Sequence, residues 1–480
     1  MKLPRDGLSK EAVVKQLDAF SAGDLPWREG NTFAYVYDPG REAEEVLKIA
    51  LTRFMSENSL DPTVYPSLAR MEAEVLAIAA AHLGGDGEVV GNFTSGGTES
   101  VLLSVKTARD LARAERGITH PELVLPVTAH ACFHKACAYF DVKLVLVPVS
   151  GPTWRVNPAA MEAAITTRSI MLVASAPQYA HGVVDPIAEI GAIAQKHNLL
   201  FHVDACVGGW MLPFFRRLGR PVPAFDFSVP GVTQMSMDFH KFAYAAKGAS
   251  IVLYRSKALR QHQIFTGANW TGYSVINPTI LSTRGGGPLA ACWAILHYLG
   301  EEGYLGFARN MLEATQRIVA RLRTMPGVEV MGDPDFALVA FSSDEFNVFT
   351  IPDLMKERGW FVQPQLGFMG SKPNIHLSID QAKLAKVERF LDDLEACVLQ
   401  ARQMPPPGIP AGLLEQLSAL RLEDLSPAVF QQILGAAGAS EGLPKETAPI
   451  NTLLNALKPE VAGALMSAYF NELGVQALDA

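Results

Sequence analysis

Between about residues 70 and 300, short runs of apolar and β-branched residues alternate with stretches of ten or more residues whose apolar positions recur at helical spacing. The runs at 123–127, 144–147, 170–174, 199–203 and 250–254 have the length and composition of buried strands. Such alternation predicts an α/β fold in which helices cover both faces of one sheet.

Past this region the pattern changes. A long helical stretch at 287–325 precedes three strand candidates, 337–341, 347–351 and 374–379, set among helical segments at 352–358 and 381–400, which reads as a small α+β domain. The run MPPPGIP at 404–410 is a break, because proline removes backbone donors and stops helices, and the tail beyond it is Leu- and Ala-rich and helical. The first 60 residues mix short helical patterns with the loop NTFAYVYDPG, as expected of an arm that packs on a partner subunit. The expected division is an arm at 1–70, a large α/β domain at 71–305, a small α+β domain at 306–403, and the break and tail at 404–480.

Composition narrows the class. With 49% hydrophobic and 19% charged residues among 480, the chain can bury a large core, and a formal charge of −8 without a basic stripe argues against nucleic acid as a partner. The five cysteines, Cys132, Cys137, Cys206, Cys292 and Cys397, lack paired metal-ligand spacing and read as reduced core thiols, so no metal is expected. No stretch approaches the ~20 apolar residues of a membrane span, and the amphipathic first 20 residues are unlike a secretory signal, so the expected location is the cytoplasm.

Four constellations carry candidate chemistry. Gly96, Gly97 and Thr98 directly precede a helical segment, where two glycines and free N–H groups can cradle a phosphate; an ordinary Thr98 cap is the plainer alternative. His130 sits ahead of another helical segment, able to stack on a planar ring or simply to face solvent. Asp204 ends the apolar strand Phe201-His202-Val203, where it can pair with a ring nitrogen or cap the next helix. Lys241 follows Asp238-Phe239-His240, as a nucleophilic amine or as one more exposed lysine. Taken in order, cradle, stacking histidine, acid and lysine are the parts that pyridoxal phosphate (PLP) requires on an α/β fold.

At these residues the chain resembles the PLP-dependent decarboxylase superfamily, and within it the sphingosine-1-phosphate lyases, over nearly its whole length. The resemblance is carried by Ser-Gly-Gly-Thr-Glu-Ser at 95–100, Ala129-His130-Ala131, Pro177-Gln178 with His181-Gly182, His202-Val203-Asp204-Ala205-Cys206, His240-Lys241 with Lys247-Gly248, and Pro278-Thr279. It implies the aspartate aminotransferase-like fold (fold type I). It also implies that Lys241 is the Schiff-base lysine, that Asp204 partners the pyridinium nitrogen, and that His130 and Ala205 face the two sides of the ring. Gly96, Gly97, Thr98 and His240 would hold the cofactor phosphate. The turn at Arg284-Gly285-Gly286-Gly287 is similar to a family loop that reaches the neighbouring subunit's cofactor phosphate, which implies a homodimer with shared sites.

The activity implied is retro-aldol cleavage of a phosphorylated or otherwise anionic, lipid-derived amino alcohol to an aldehyde and an amine such as phosphoethanolamine. Tyr37 and Lys247 match positions that bind the substrate phosphate. Three positions depart from the family pattern: Asp61 replaces a substrate-binding histidine, Val275 a tyrosine, and Gly285 a proline. These departures keep an amino-acid decarboxylase as the alternative, followed by an aminotransferase and by a protein that only binds a phosphate ligand.

Overall fold

A computed structural model describes residues 3–405, 411–424 and 446–479, together with Val429, Ile433 and Gly435. Its centre is a seven-stranded sheet of order β1-β7-β6-β5-β4-β2-β3, built from β1 (Val90–Thr94), β2 (Glu122–Pro126), β3 (Lys143–Val147), β4 (Ser169–Ser175), β5 (Leu200–Asp204), β6 (Gln234–Asp238) and β7 (Ser250–Tyr254). Strands β3, β2, β4, β5 and β6 run parallel, and β7 is antiparallel to both its neighbours, β6 and β1. β2, β4, β6 and β7 are buried along their whole length, as expected of strands covered on both faces.

The register decides where chemistry can gather. Ser175 pairs with Asp204 and Asp204 with Ser236, so β4, β5 and β6 end side by side. On the far side of β6, Ser250 pairs with both Asp238 and Thr94. Two antiparallel steps leave β1 pointing the same way as β6, and the turn after Thr94 therefore opens at the same carboxyl edge as Asp204 and Asp238. The hydroxyls of Thr94 and Ser100 lie 2.6 Å apart, and those of Ser100 and Ser250 2.9 Å apart, which fastens this junction.

Of these strands, β1 and β6 are absent from the sequence expectation. β1 contains Gly91, where a Cβ would stand 2.2 Å from the Val252 carbonyl oxygen, so the strand has traded a β-former for close approach. β6 reads Gln-Met-Ser-Met-Asp because its polar positions are spent inside: Ser104 Oγ donates to Gln234 Oε1 (2.7 Å) and lies 2.8 Å from His202 Nδ1, and His202 Nε2 lies 3.0 Å from Ser236 Oγ.

The N-terminal region holds helices α1 (Lys10–Ser21), α2 (Arg41–Arg53) and α3 (Pro66–His82), and the sheet's first crossovers are α4 (Gly97–Arg116) and α5 (Cys132–Phe140). The expected helix at 287–325 is Gly286–Leu322, broken at Gly300, whose φ of 55° no helix interior accepts.

A second, four-stranded antiparallel sheet of order β10-β11-β13-β12 forms the small unit, with β10 (Glu329–Val330), β11 (Leu338–Ser342), β12 (Gln363–Gln365) and β13 (Asn374–Ser378). The exposed ribbon β8 (Phe265–Gly267) and β9 (Val275–Asn277) lies outside both sheets. The strand expected at 347–351 is instead a turn into the helix Thr350–Glu357. Asn347 Oδ1 accepts from the Phe349 N–H (2.9 Å) and its carbonyl from the Thr350 hydroxyl (2.8 Å), a local arrangement that competes with a sheet ladder.

Part of the proline-rich break, 406–410, lies outside the described residues. Beyond it, helices Ala411–Ala419, Ala448–Ala456 and Pro459–Asp479 contribute Leu417, Leu453 and Val461 to a separate small core, joined by Leu457 from the link between the last two. Asp353 docks this module by accepting from the N–H groups of Thr447 and Ala448, each at 2.8 Å.

Candidate active site

A cavity of about 480 Å³ opens at the carboxyl edge of the large sheet, and Gly96, Gly97, Thr98, His130, Asp204, His240 and Lys241 all line it. Residues separated by as many as 145 positions in sequence thus meet because four strands and two helices end together.

The glycine turn leads straight into α4, so the first N–H groups of a 20-residue helix have no intrahelical partner and face an anion-favouring dipole. Gly97 is required by its surroundings: a Cβ there would come within 2.8 Å of both Asp238 oxygens and 2.9 Å of Cys206 Sγ. Glu99 shapes the turn. Its Oε2 accepts from the Ser95 N–H (2.6 Å) and hydroxyl (2.8 Å), while Oε1 accepts from the Ile280 (2.9 Å) and Leu281 (3.2 Å) N–H groups, tying a distant loop to the cradle.

Two carboxylates in the cavity have different company. Asp204 Oδ1 accepts from the Cys206 N–H (3.1 Å) and the Ser236 hydroxyl (3.4 Å). Asp238 Oδ2 instead makes an ion pair with Lys241 Nζ at 2.8 Å and lies 3.7 Å from His240 Nε2. Burial acts to lower the Lys241 pKa, but Asp238 outweighs it, helped by Cys206 and Tyr37, and the ammonium is held above its ordinary value. Burial likewise acts to raise Asp238, and Lys241 and His240 pull it below the usual carboxylate range.

His130 is open to the cavity, and the surrounding atoms still lower its pKa through desolvation. The Cys132 N–H donates to its Nδ1 (3.2 Å), which places the ring proton on Nε2 and makes the imidazole a donor toward the cavity. Tyr179 closes that wall, meeting His130 edge to face at 6.4 Å. His240 is also lowered, by desolvation first, and its Nδ1 accepts from the Ala249 N–H (3.1 Å).

Tyr37 and Lys247 are not among the residues lining the cavity: the Tyr37 ring meets Phe242 edge to face at 4.7 Å, and Lys247 Nζ stands 5.1 Å from its centroid. Lys247 donates to the Tyr35 carbonyl at 3.0 Å, and desolvation followed by repulsion from Lys241 lowers its pKa.

Other expected site residues lie elsewhere. Ala205 is fully buried, and Val207 lines the cavity in its place. Gly286 and Gly287 pack within the chain, where a Cβ would come within 3.0 Å of the Glu57 carbonyl and 2.9 Å of the Leu51 carbonyl respectively. Asp61 is on an exposed turn, its Oδ1 accepting from the Thr63 N–H (2.8 Å) and hydroxyl (2.6 Å). Together with Tyr65, Tyr273, Val275 and Arg284 it borders a second, more apolar cavity of about 710 Å³ that shares no lining residue with the first.

Sequence reasoning passed over Asp238, Glu99 and Tyr179. Asp238 carried a visible signal, an acid three residues before the candidate lysine. Glu99 and Tyr179 gave none without the fold.

Residues 22–344 match the family model of the pyridoxal-dependent decarboxylase conserved domain, and 411–472 match that of a C-terminal putative HTH domain of pyridoxal-dependent enzymes. The chain is 39% identical to the sphingosine-1-phosphate lyase of Oryza sativa over 85% of its own length and 76% of that protein's. It is 37% identical to sphingosine-1-phosphate lyase 1 of Rattus norvegicus, over 84% and 70%. Among solved structures, the sphingosine-1-phosphate lyase of Burkholderia pseudomallei superimposes with a TM-score of 0.80 at 35% identity, covering 84% of this chain and 93% of that one. Glutamate decarboxylase of Lactobacillus brevis shares the fold, with a TM-score of 0.74 at 19% identity over 84% of this chain and 96% of that one.

Proposed function

The chain belongs to the pyridoxal-dependent decarboxylase family, among the sphingosine-1-phosphate lyases, and from that premise we propose that it splits the Cα–Cβ bond of a phosphorylated long-chain amino alcohol, releasing an aldehyde and a phosphorylated amine. It is a PLP-dependent lyase.

The cavity fits the cofactor on observations of its own. Gly97 keeps a helix N-terminus accessible where any side chain would collide with Asp238, and Asp238 Oδ1 is buried without a hydrogen-bond partner. The only other carboxylates lining the cavity, Asp204 and Glu99, are distinguishable in role, since Glu99 is consumed by backbone donors.

In this reading the N–H groups of Gly97 and Thr98, admitted by Gly96, and the His240 ring hold the phosphate. Asp204 would keep a proton on the ring nitrogen, and His130 and the Ala205–Val207 segment would hold the ring. When bound, PLP supplies an aldehyde carbon for an amine and a ring that accepts the electron pair of the breaking bond. Lys241 Nζ provides the attachment point and, as an ammonium, a proton for the substrate carbon. His130 Nε2–H donates to a substrate oxygen. Tyr37 and Lys247 take the substrate phosphate.

What supports this reading is that Lys247 Nζ stands 5.1 Å from the Tyr37 ring, itself packed on Phe242 next to Lys241 in sequence, although neither side chain lines the cavity and Lys247 donates to the Tyr35 (3.0 Å) and His240 (3.3 Å) carbonyls. Purified holoenzyme given a phosphorylated long-chain base should release aldehyde and phosphoethanolamine in equal amounts. Carbon dioxide release from an amino acid, with no aldehyde from the base, would favour a decarboxylase.

A homodimer is part of the proposal. α1 buries none of its residues and leaves Val13, Val14, Leu17 and Phe20 exposed, and the β8–β9 ribbon exposes Phe265, Tyr273 and Ile276 beside the second cavity. Asp61, Val275, Gly286 and Gly287 would then act, if at all, in the partner's site. No described helix is long and apolar enough to cross a membrane, and the five cysteines are free and buried, which supports a cytoplasmic location. Residues 411–472 carry only Arg421, Lys445 and Lys458 against seven carboxylates, so their putative HTH character does not make nucleic acid a partner.

A further inference from the structure

We propose that Asp238 is the positioning residue for Lys241, and that their buried ion pair restrains the amine from capturing the cofactor. The inference rests on the role proposed above for Lys241.

The geometry sets Asp238 apart from every other acid in the cavity. It ends β6 at 2% side-chain exposure, and its Oδ2 lies 2.8 Å from Lys241 Nζ, three residues along a turn that the Tyr244 N–H to Lys241 carbonyl bond (3.0 Å) closes. Its Oδ1 has no hydrogen-bond partner. Such a half-satisfied buried carboxylate is costly unless a cation stays beside it, so the pair holds itself in place. The other titratable groups facing Lys241 are Asp204, Cys206, His130, His240, Tyr37 and Lys247, and none of them is in ion-pair contact with Nζ.

The step balances without any further reactant. The ammonium gives up one proton to solvent. The Nζ lone pair then forms a bond to the aldehyde carbon, and the carbonyl oxygen leaves as water with the two remaining Nζ protons. Asp238 keeps its charge throughout and can pair with the nitrogen again when that takes up a proton. A chain without the carboxylate would keep the lysine desolvated but lose the interaction that keeps it charged, so the free amine would form at lower pH.

The test uses cofactor-free full-length protein, PLP as the probe, and the rate of capture followed by absorbance across pH 6–10, with borohydride trapping and peptide mapping to locate the bond. In Asp238→Asn the pH at which capture accelerates should fall by at least about one unit, a gain of about tenfold in rate near neutrality. Asp238→Glu should move the profile back toward wild type. An unchanged or upward-shifted profile in Asp238→Asn, with the trapped bond still on Lys241, overturns the role of Asp238 alone. A trapped bond on another lysine overturns the assignment of Lys241 as well. If Asp238→Asn does not fold, a wild-type-like profile in Asp238→Glu supports the proposal, and a Glu variant shifted like a neutral residue overturns it.

Discussion

Tyr37 meets Phe242 edge to face, with ring centroids 4.7 Å apart, and that contact brings a residue from the N-terminal arm within one side chain of Lys241. The contact is apolar, so it can position the ring whether or not the hydroxyl has a partner. Burial first, offset in part by Lys241, keeps the phenol protonated and therefore a donor.

The hydroxyl and the ring can be separated by Tyr37→Phe. The packing survives, while one hydrogen bond to a charged phosphate is lost, a contribution of about 1.5–3 kcal/mol. KM for the phosphorylated base should rise about tenfold or more with little change in cofactor content. Equal KM for wild type and variant would remove Tyr37 from headgroup binding.

Asp204→Asn addresses the ring nitrogen. An amide accepts the Cys206 N–H as the carboxylate does, so the strand end should hold, but it cannot keep a pyridine nitrogen protonated. The variant should bind PLP and lose at least about a hundredfold in kcat, the scale of one positioned proton. Near-normal turnover, measured as aldehyde release, would reduce Asp204 to a helix-capping acid.

Glu99 gathers four donors from two separate segments, Ser95 and Ile280–Leu281. Glu99→Ala would leave them without this partner, loosening the turn that presents the Gly97 and Thr98 N–H groups. Dialysed variant should lose PLP at least about tenfold faster than wild type. An unchanged loss rate, with lowered melting temperature, would make Glu99 a structural residue only.

Much of the large domain was legible because parallel strands covered on both faces must be continuously apolar, as 123–127 and 170–174 are. β6 escaped notice because Gln234 and Ser236 satisfy each other's neighbours out of sight, and 347–351 misled because Val348, Phe349 and Ile351 fit a helix start as well as a strand. The lining of the first cavity was legible at the ends of strands and the starts of helices, where function concentrates. What the sequence could not tell was distance: that Asp61 and Val275 stand on a different cavity from Lys241, and that Asp238 rather than Asp204 holds the lysine.

Two buried histidines give a stability prediction whose sign follows from their surroundings. His202 lies between Ser104 and Ser236 in the large domain, and His376 is stacked on Tyr179 at 4.2 Å in the small one. Burial lowers their pKa values from 6.5 to about 4 and about 3. Neutral in the native state and protonated when unfolded, each makes the unfolded chain bind more protons between its folded value and 6.5, so stability rises with pH across that window and is flat above it. Lowering the pH from 7.5 to 5.5 should therefore cost roughly 1 kcal/mol for each of the two. Urea midpoints at pH 7.5, 6.5 and 5.5 should fall most over the last step, and His202→Gln, which keeps polar contacts but does not titrate, should flatten the fall by about half of the two-histidine share. If wild type and variant lose stability in parallel down to pH 5.5, His202 is protonated in the folded chain, and its place in the Ser104–Ser236 network needs a different account.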